Sequence, residues 1–234
     1  MKKLLSLSLL LFFVTFSLFA QSTRRLTSNT LLHNGRNQSF YFKAGTSVSL
    51  NSSGKVVSGI PVSNILIYNG RNQSFYAKAG QVVNFYDNGT VSSFYPTSNV
   101  LIYNGRNQSF YAKAGTLVEF YPNGNVKSFY PASNVLIYNG RNQSFYAKAG
   151  TQVVFYSNGN VNSFYPASNV LIYNGRNQSF YAKSGTQVVF YGNGNVSSFY
   201  PASNVLVYRK NNSSLYAKAG QLVKFDQQGH VINL

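Results

Sequence analysis

From residue 29 onward the apolar side chains come in bursts of four or five residues, each closed by a turn signal. Between residues 64 and 98 the bursts are 65–68, 74–78, 82–86 and 91–95, and they are separated by Asn69-Gly70, Ala79-Gly80 and Asn88-Gly89, with Pro96-Thr97-Ser98 at the end. Each burst is too short for a helix and is crowded with Val, Ile, Tyr and Phe, so the pattern predicts four short β-strands. In the third burst Val83 and Phe85 are apolar while Asn84 between them is polar, which by period-2 alternation puts Asn84 outside.

The same cycle returns along the chain. Asn-Gly-Arg-Asn-Gln-Ser-Phe starts at Asn34, Asn69, Asn104, Asn139 and Asn174, a constant step of 35, and a degenerate sixth copy starts at Arg209. The units run over residues 29–63, 64–98, 99–133, 134–168, 169–203 and 204–234. Their alignment sharpens the reading of faces. Val48, Val83, Val118, Val153, Val188 and Val223 never change, whereas the next position holds Ser49, Asn84, Glu119, Val154, Val189 and Lys224. If Asp87-Asn88-Gly89 is a three-residue loop with a left-handed Gly, Phe85 faces Val91 and Val83 faces Ser93. Around Asn69-Gly70 a two-residue and a three-residue loop give opposite faces, which leaves the burial of Phe75 or Tyr76 open.

The expectation is an all-β chain of tandem 35-residue repeats of short antiparallel hairpins in an elongated array. Divergent first and last units fit such an array, because each end unit has one neighbour. The alternative is a six-bladed β-propeller, for which 35 residues is lean against the roughly 40 to 50 of common propeller repeats. The segment Phe85, Tyr86, Asn88, Gly89 and Val91, repeated at Phe120, Tyr121, Asn123, Gly124 and Val126 and again from Phe155 and Phe190, resembles MORN-variant repeats. The resemblance covers about a third of each unit and implies a hairpin array. The longer period departs from that family, and fold likeness alone carries no ligand.

Residues 1–20 have the layout of a secretory signal: Lys2 and Lys3, an apolar run over 4–19, and Ala20 before Gln21. Residues 21–28 read as a linker. Export to periplasm, cell surface or medium is the expectation, with no lipoprotein Cys, since the chain has 0 Cys. Past the signal no run is long enough to span a membrane.

Composition narrows the chemistry. Setting aside Lys2 and Lys3 leaves 18 Lys and Arg against 3 Asp and Glu, a net charge of +15, which predicts attraction to anionic polymers. His33, His230, Asp87, Glu119 and Asp226 never recur at one repeat position, so the clustered titratable groups of an active site or metal cage are not expected: no enzyme, no cofactor, no metal. Asn72-Gln73-Ser74 and its copies match a glycosylation pattern that is short and duplicated with everything else, and it carries little weight.

What recurs is Arg36, Arg71, Arg106, Arg141 and Arg176, with Lys43, Lys78, Lys113, Lys148, Lys183 and Lys218 seven residues on. Together with neighbouring Tyr, Asn and Gln they are the candidate ligand-binding residues. The expected function is binding of polyanionic glycans or cell-envelope polymers, and the alternative is a structural or protein-interaction scaffold. Nucleic acid fits the charge and conflicts with export. The competing reading of these cations is solubility and protection of strand edges.

Overall fold

A computed structural model describes residues 22–233; the signal sequence expected over 1–20 lies outside the described residues. The fold is all-β. Among the described residues there are 25 strands and no helix long and apolar enough to cross a membrane.

One unit shows the plan. In the second, β6 (Ile65–Tyr68) and β7 (Ser74–Ala77) form a separate hairpin, tied to the end of the unit by a single bridge between Ala77 and Pro96, while β8 (Val83–Phe85) and β9 (Val91–Phe94) enter a sheet shared by the whole chain. The first unit supplies β2 (Thr30–His33), β3 (Ser39–Phe42), β4 (Ser47–Leu50) and β5 (Val56–Gly59) in the same roles. The sixth supplies β22 (Val205–Tyr208), β23 (Ser214–Ala217), β24 (Val223–Phe225) and β25 (Val231–Asn233). The shared sheet has 13 strands in an open antiparallel order, beginning at β1 (Ser22–Arg25) and ending at β25, so the closed propeller is not formed. Six two-stranded hairpins accompany it.

The segment expected as a linker therefore contains a strand. β1 pairs with β4 through Thr23 opposite Ser49 and Arg24 opposite Val48. That is the pairing by which Ser93 and Phe94 of β9 meet Glu119 and Val118 in β12 (Val118–Phe120). β1 thus stands where the last strand of a preceding unit would stand.

The hairpin that closes β8 and β9 has the expected three-residue loop, with Gly89 at φ +78°. Phe85 does pair with Val91. Val83 does not pair with Ser93: Asn84 does, because a bulge shifts the register after one pair. The bulge has a clear function. Val91 and Phe94 are three residues apart and would fall on opposite faces of a regular strand, yet both are fully buried. One extra residue brings them to the same side.

The core is the layer between the long sheet and the row of hairpins. Phe75 sits 5.3 Å from Phe94 of its own unit and 5.5 Å from Phe120 of the next, and these two are 6.1 Å apart. Each hairpin therefore covers the last strand of its own unit and the first sheet strand of the next. The triad recurs as Phe110, Phe129 and Phe155, and twice more further along. Such contacts make neighbouring units interdependent.

Candidate polyanion-binding face

The two-stranded hairpins decide which side chains meet solvent. The loop joining β6 to β7 is Gly70-Arg71-Asn72, closed by Asn69 N–H donating to Gln73 O at 3.1 Å, with Asn72 at φ +58°. Asn takes the left-handed position of this three-residue loop. That settles the faces: Phe75 is buried and Tyr76 is 57% exposed. Gly70 serves another purpose. A Cβ there would stand 2.6 Å from Gly124 N and would collide with the Pro122 carbonyl, so the tip packs directly on the Asn123-Gly124 turn of the next unit. Asn69 Nδ2 crosses the same junction, donating to Gly124 O at 3.1 Å.

Arg71 sits on this tip. Its guanidinium lies 5.9 Å from the centre of the Tyr103 ring and donates to Asn107 Oδ1 at 2.9 Å and Asn125 Oδ1 at 2.8 Å, all in the next unit. Arg36, Arg106, Arg141 and Arg176 stack in the same way on Tyr68, Tyr138, Tyr173 and Tyr208. They donate to Asn72, Asn142, Asn177 and Asn212, respectively. The five Arg are exposed, and each also staples two units together.

Lys43, Lys78, Lys113, Lys148, Lys183 and Lys218 are exposed at the other end of the second hairpin strand. Seven residues of chain separate Arg71 from Lys78, and the intervening strand spans about 13 Å, so the Arg and Lys form two rows along opposite edges of the hairpin row. Ion pairing is confined to Lys127 with Glu119 and His230 with Asp226 among the described residues, and the six recurring ammonium groups have no such partner.

Between the two rows runs a third, of Tyr, whose face the sequence left open. Along β7 the exposure alternates, with Ser74 and Tyr76 outward and Phe75 and Ala77 inward, and Lys78 continues on the outer side. Tyr41, Tyr76, Tyr111, Tyr146 and Tyr181 are 57–58% exposed and Tyr216 is 72% exposed. Each lies opposite a Leu on the partner strand, as Leu66 faces Tyr76 and Leu101 faces Tyr111. The outer face of every hairpin is therefore a Leu-Tyr platform with a free Lys at its base, and the first five also have a stapled Arg at the tip, where the sixth has Asn211. The left-handed Asn72 is the sequence signal that would have found it.

Among the described residues no group of three or more His, Cys, Asp or Glu stands together. Asp226 and His230 form a local pair at 3.1 Å. Burial pushes the Asp226 carboxyl up, but hydrogen bonds from the His230 backbone and ring outweigh it and hold the group below its ordinary value.

No protein-family model matches the chain, and no curated protein matches it. Among solved structures, a gluconolactonase from Xanthomonas campestris aligns over 86% of this chain and 88% of its own at 9% identity, with a TM-score of 0.21. A likeness that low carries no argument about this chain.

Proposed function

We propose that the protein is exported and non-catalytic, and that it binds polyanionic glycans or cell-envelope polymers along the outer face of its hairpin row. One observation carries the reading: an exposed Tyr with an unpaired Lys two residues on, repeated six times on one face. Tyr rings offer flat apolar surface with a polar rim, and a row of ammonium groups beside them attracts an anionic chain at many points at once. The Arg row adds positive potential from the hairpin tips, where each guanidinium spends part of its N–H donors on a neighbouring unit.

The test is a screen of immobilised acidic polysaccharides and envelope polymers at low and raised salt. Replacing the six recurring Lys by Gln should abolish most binding and leave the circular dichroism unchanged. Absence of binding by the parent to any acidic polymer at low salt would end the proposal. A second reading, the protein-interaction scaffold, is favoured by the sixth unit, where Arg209, Leu215, Val231, Ile232 and Asn233 line an open cavity of about 300 Å³ beside β25.

A further inference from the structure

We infer that the ligand is an extended β-linked glycan with one anionic group per disaccharide, laid along the array with one disaccharide on each unit. This inference rests on the polyanion-binding reading above and deepens it.

The spacing is set by the sheet. Each unit adds two strands to the long sheet, so platforms repeat about every 10 Å, from a strand separation of roughly 4.8 Å. An extended β-linked disaccharide covers about the same distance. Its rings are joined equatorially and present broad C–H faces at that repeat, which suits Tyr41, Tyr76, Tyr111, Tyr146, Tyr181 and Tyr216, each flanked by a Leu. A more compact chain would bring its rings into register with the platforms only here and there.

The charge count follows from which cations stand beside the Tyr row. Each interior unit has two recurring cations, and they differ in place: the Arg keeps its charge but is held at the hairpin tip, stacked on Tyr and bonded to Asn of the next unit, whereas the Lys stands two residues from the exposed Tyr on the same outer side. The Lys carries no ion pair among the described residues. A chain laid along the Tyr row thus meets one ammonium per unit beside each ring, which matches one carboxylate or sulfate per disaccharide, with the Arg row adding potential from the far edge of the hairpins. Duplex DNA, by contrast, presents a phosphate every ~1.7 Å, several for each free Lys, and hides its base faces in the stack.

Hyaluronan oligosaccharides of increasing length test this, because they are extended, β-linked and carry one carboxylate per disaccharide. Affinity measured by calorimetry should climb with every added disaccharide up to six, the number of units, and then level off. The salt dependence should steepen by about one ion per disaccharide over the same range. Substituting Tyr76→Ala, Tyr111→Ala and Tyr146→Ala together should lower affinity by at least about tenfold even at raised salt, where charge is screened. These side chains are more than half exposed, so the fold should be unaffected, and circular dichroism checks it. If heparin or polyphosphate binds while hyaluronan does not, or if hyaluronan affinity shows no length dependence, the inference falls and the polyanion reading stands. If no polyanion binds, both fall.

Discussion

Gly70 and Lys210 occupy the same place in the repeat, and the difference shows what a single position does. At Gly35, Gly70, Gly105, Gly140 and Gly175 a Cβ would run into the turn of the following unit. At Lys210 the described chain places no following turn, and the side chain is tolerated. The glycine here is needed for close approach, not for backbone freedom, since these five do not have positive φ. Gly105→Ala, whose Cβ would lie 2.5 Å from Ser157 O, should cost about 1–3 kcal/mol by overpacking. Gly115→Ala, at φ +69° with open space around it, should cost about 1–2 kcal/mol through its backbone alone. Urea unfolding separates the two cases: only Gly105→Ala should uncouple the halves of the array and broaden the transition. The sequence showed Asn-Gly as a turn but not that its Gly faces a neighbour, because that contact joins residues 55 apart, as Asn69 and Gly124 are.

At the scale of strands and hairpins, the first unit solves the packing problem differently from the rest. Where interior units have Ala77 and Phe94, it has Phe42 and Gly59. A Cβ on Gly59 would lie 2.5 Å from the Phe42 ring, so one phenyl group has moved from the sheet strand to the hairpin strand without leaving the core. Phe42→Ala alone should cost about 3–5 kcal/mol through the cavity it opens, and Gly59→Phe alone should overpack. The pair together restores the interior arrangement and should be more stable than either single change, a coupling that a double-mutant cycle reads directly. Strand positions in the sequence agreed with the structure to within a residue, since local apolar bursts and turn residues set them. The bulge that turns Phe94 inward was not legible, because its cause is the neighbouring hairpin that needs covering.

The same scale holds a second kind of link, with a pH signature. Tyr86 OH donates to Phe120 O at 2.6 Å and Tyr121 OH to Phe155 O at 2.8 Å, each joining one unit to the next. Burial first pushes both hydroxyls above the ordinary tyrosine value, followed by the Glu119 carboxylate for Tyr86 and by Tyr156 and then Glu119 for Tyr121. A raised folded value means this contribution is complete below the unfolded tyrosine value and is lost as pH rises through the folded one. Thermal stability should therefore fall above about pH 10, and the fall should be smaller in a Tyr86→Phe, Tyr121→Phe variant, itself weaker by about 1 kcal/mol per lost bond at neutral pH. Asp226, at the Tyr86 position of the last unit, behaves oppositely. Its depressed value means that its share is present above the unfolded carboxylate value and is lost as acid protonates it.

At the scale of the whole molecule, the divergence of the end units reads as capping. In the sixth unit Arg209, Lys210 and Leu215 replace the Asn, Gly and Phe that meet a following unit. In the first unit Gly54 is free of the tip that presses on Gly89 and its equivalents. β1 covers the edge of β4 and points Arg24 where the interior units have a core Phe, a charge placed against sheet-to-sheet pairing. The recurring Arg and Lys were visible in the sequence as a single set. Their division into staples and free cations was not, since it depends on which end of a hairpin touches the next unit.

These ends give the molecule two complementary surfaces that its own residues keep apart. β25 stands last in the described sheet, beside the cavity that Arg209, Leu215 and Val231 line, and by the pairing of the interior units β4 is the strand that would match it if β1 were absent. Two obstacles stand in the way: β1 on β4, and the Lys210 side chain where an incoming turn needs Gly. Removing residues 22–28 together with Arg209→Asn, Lys210→Gly and Leu215→Phe lifts both, and copies should then join head to tail through a junction of the interior type. Such heterologous contacts do not close, so filaments are expected. Sedimentation velocity would show mass growing with concentration for the combined variant and not for the parent. A combined variant that folds and sediments as the parent does would mean that the end substitutions are drift and that something other than β1 and Lys210 limits the array.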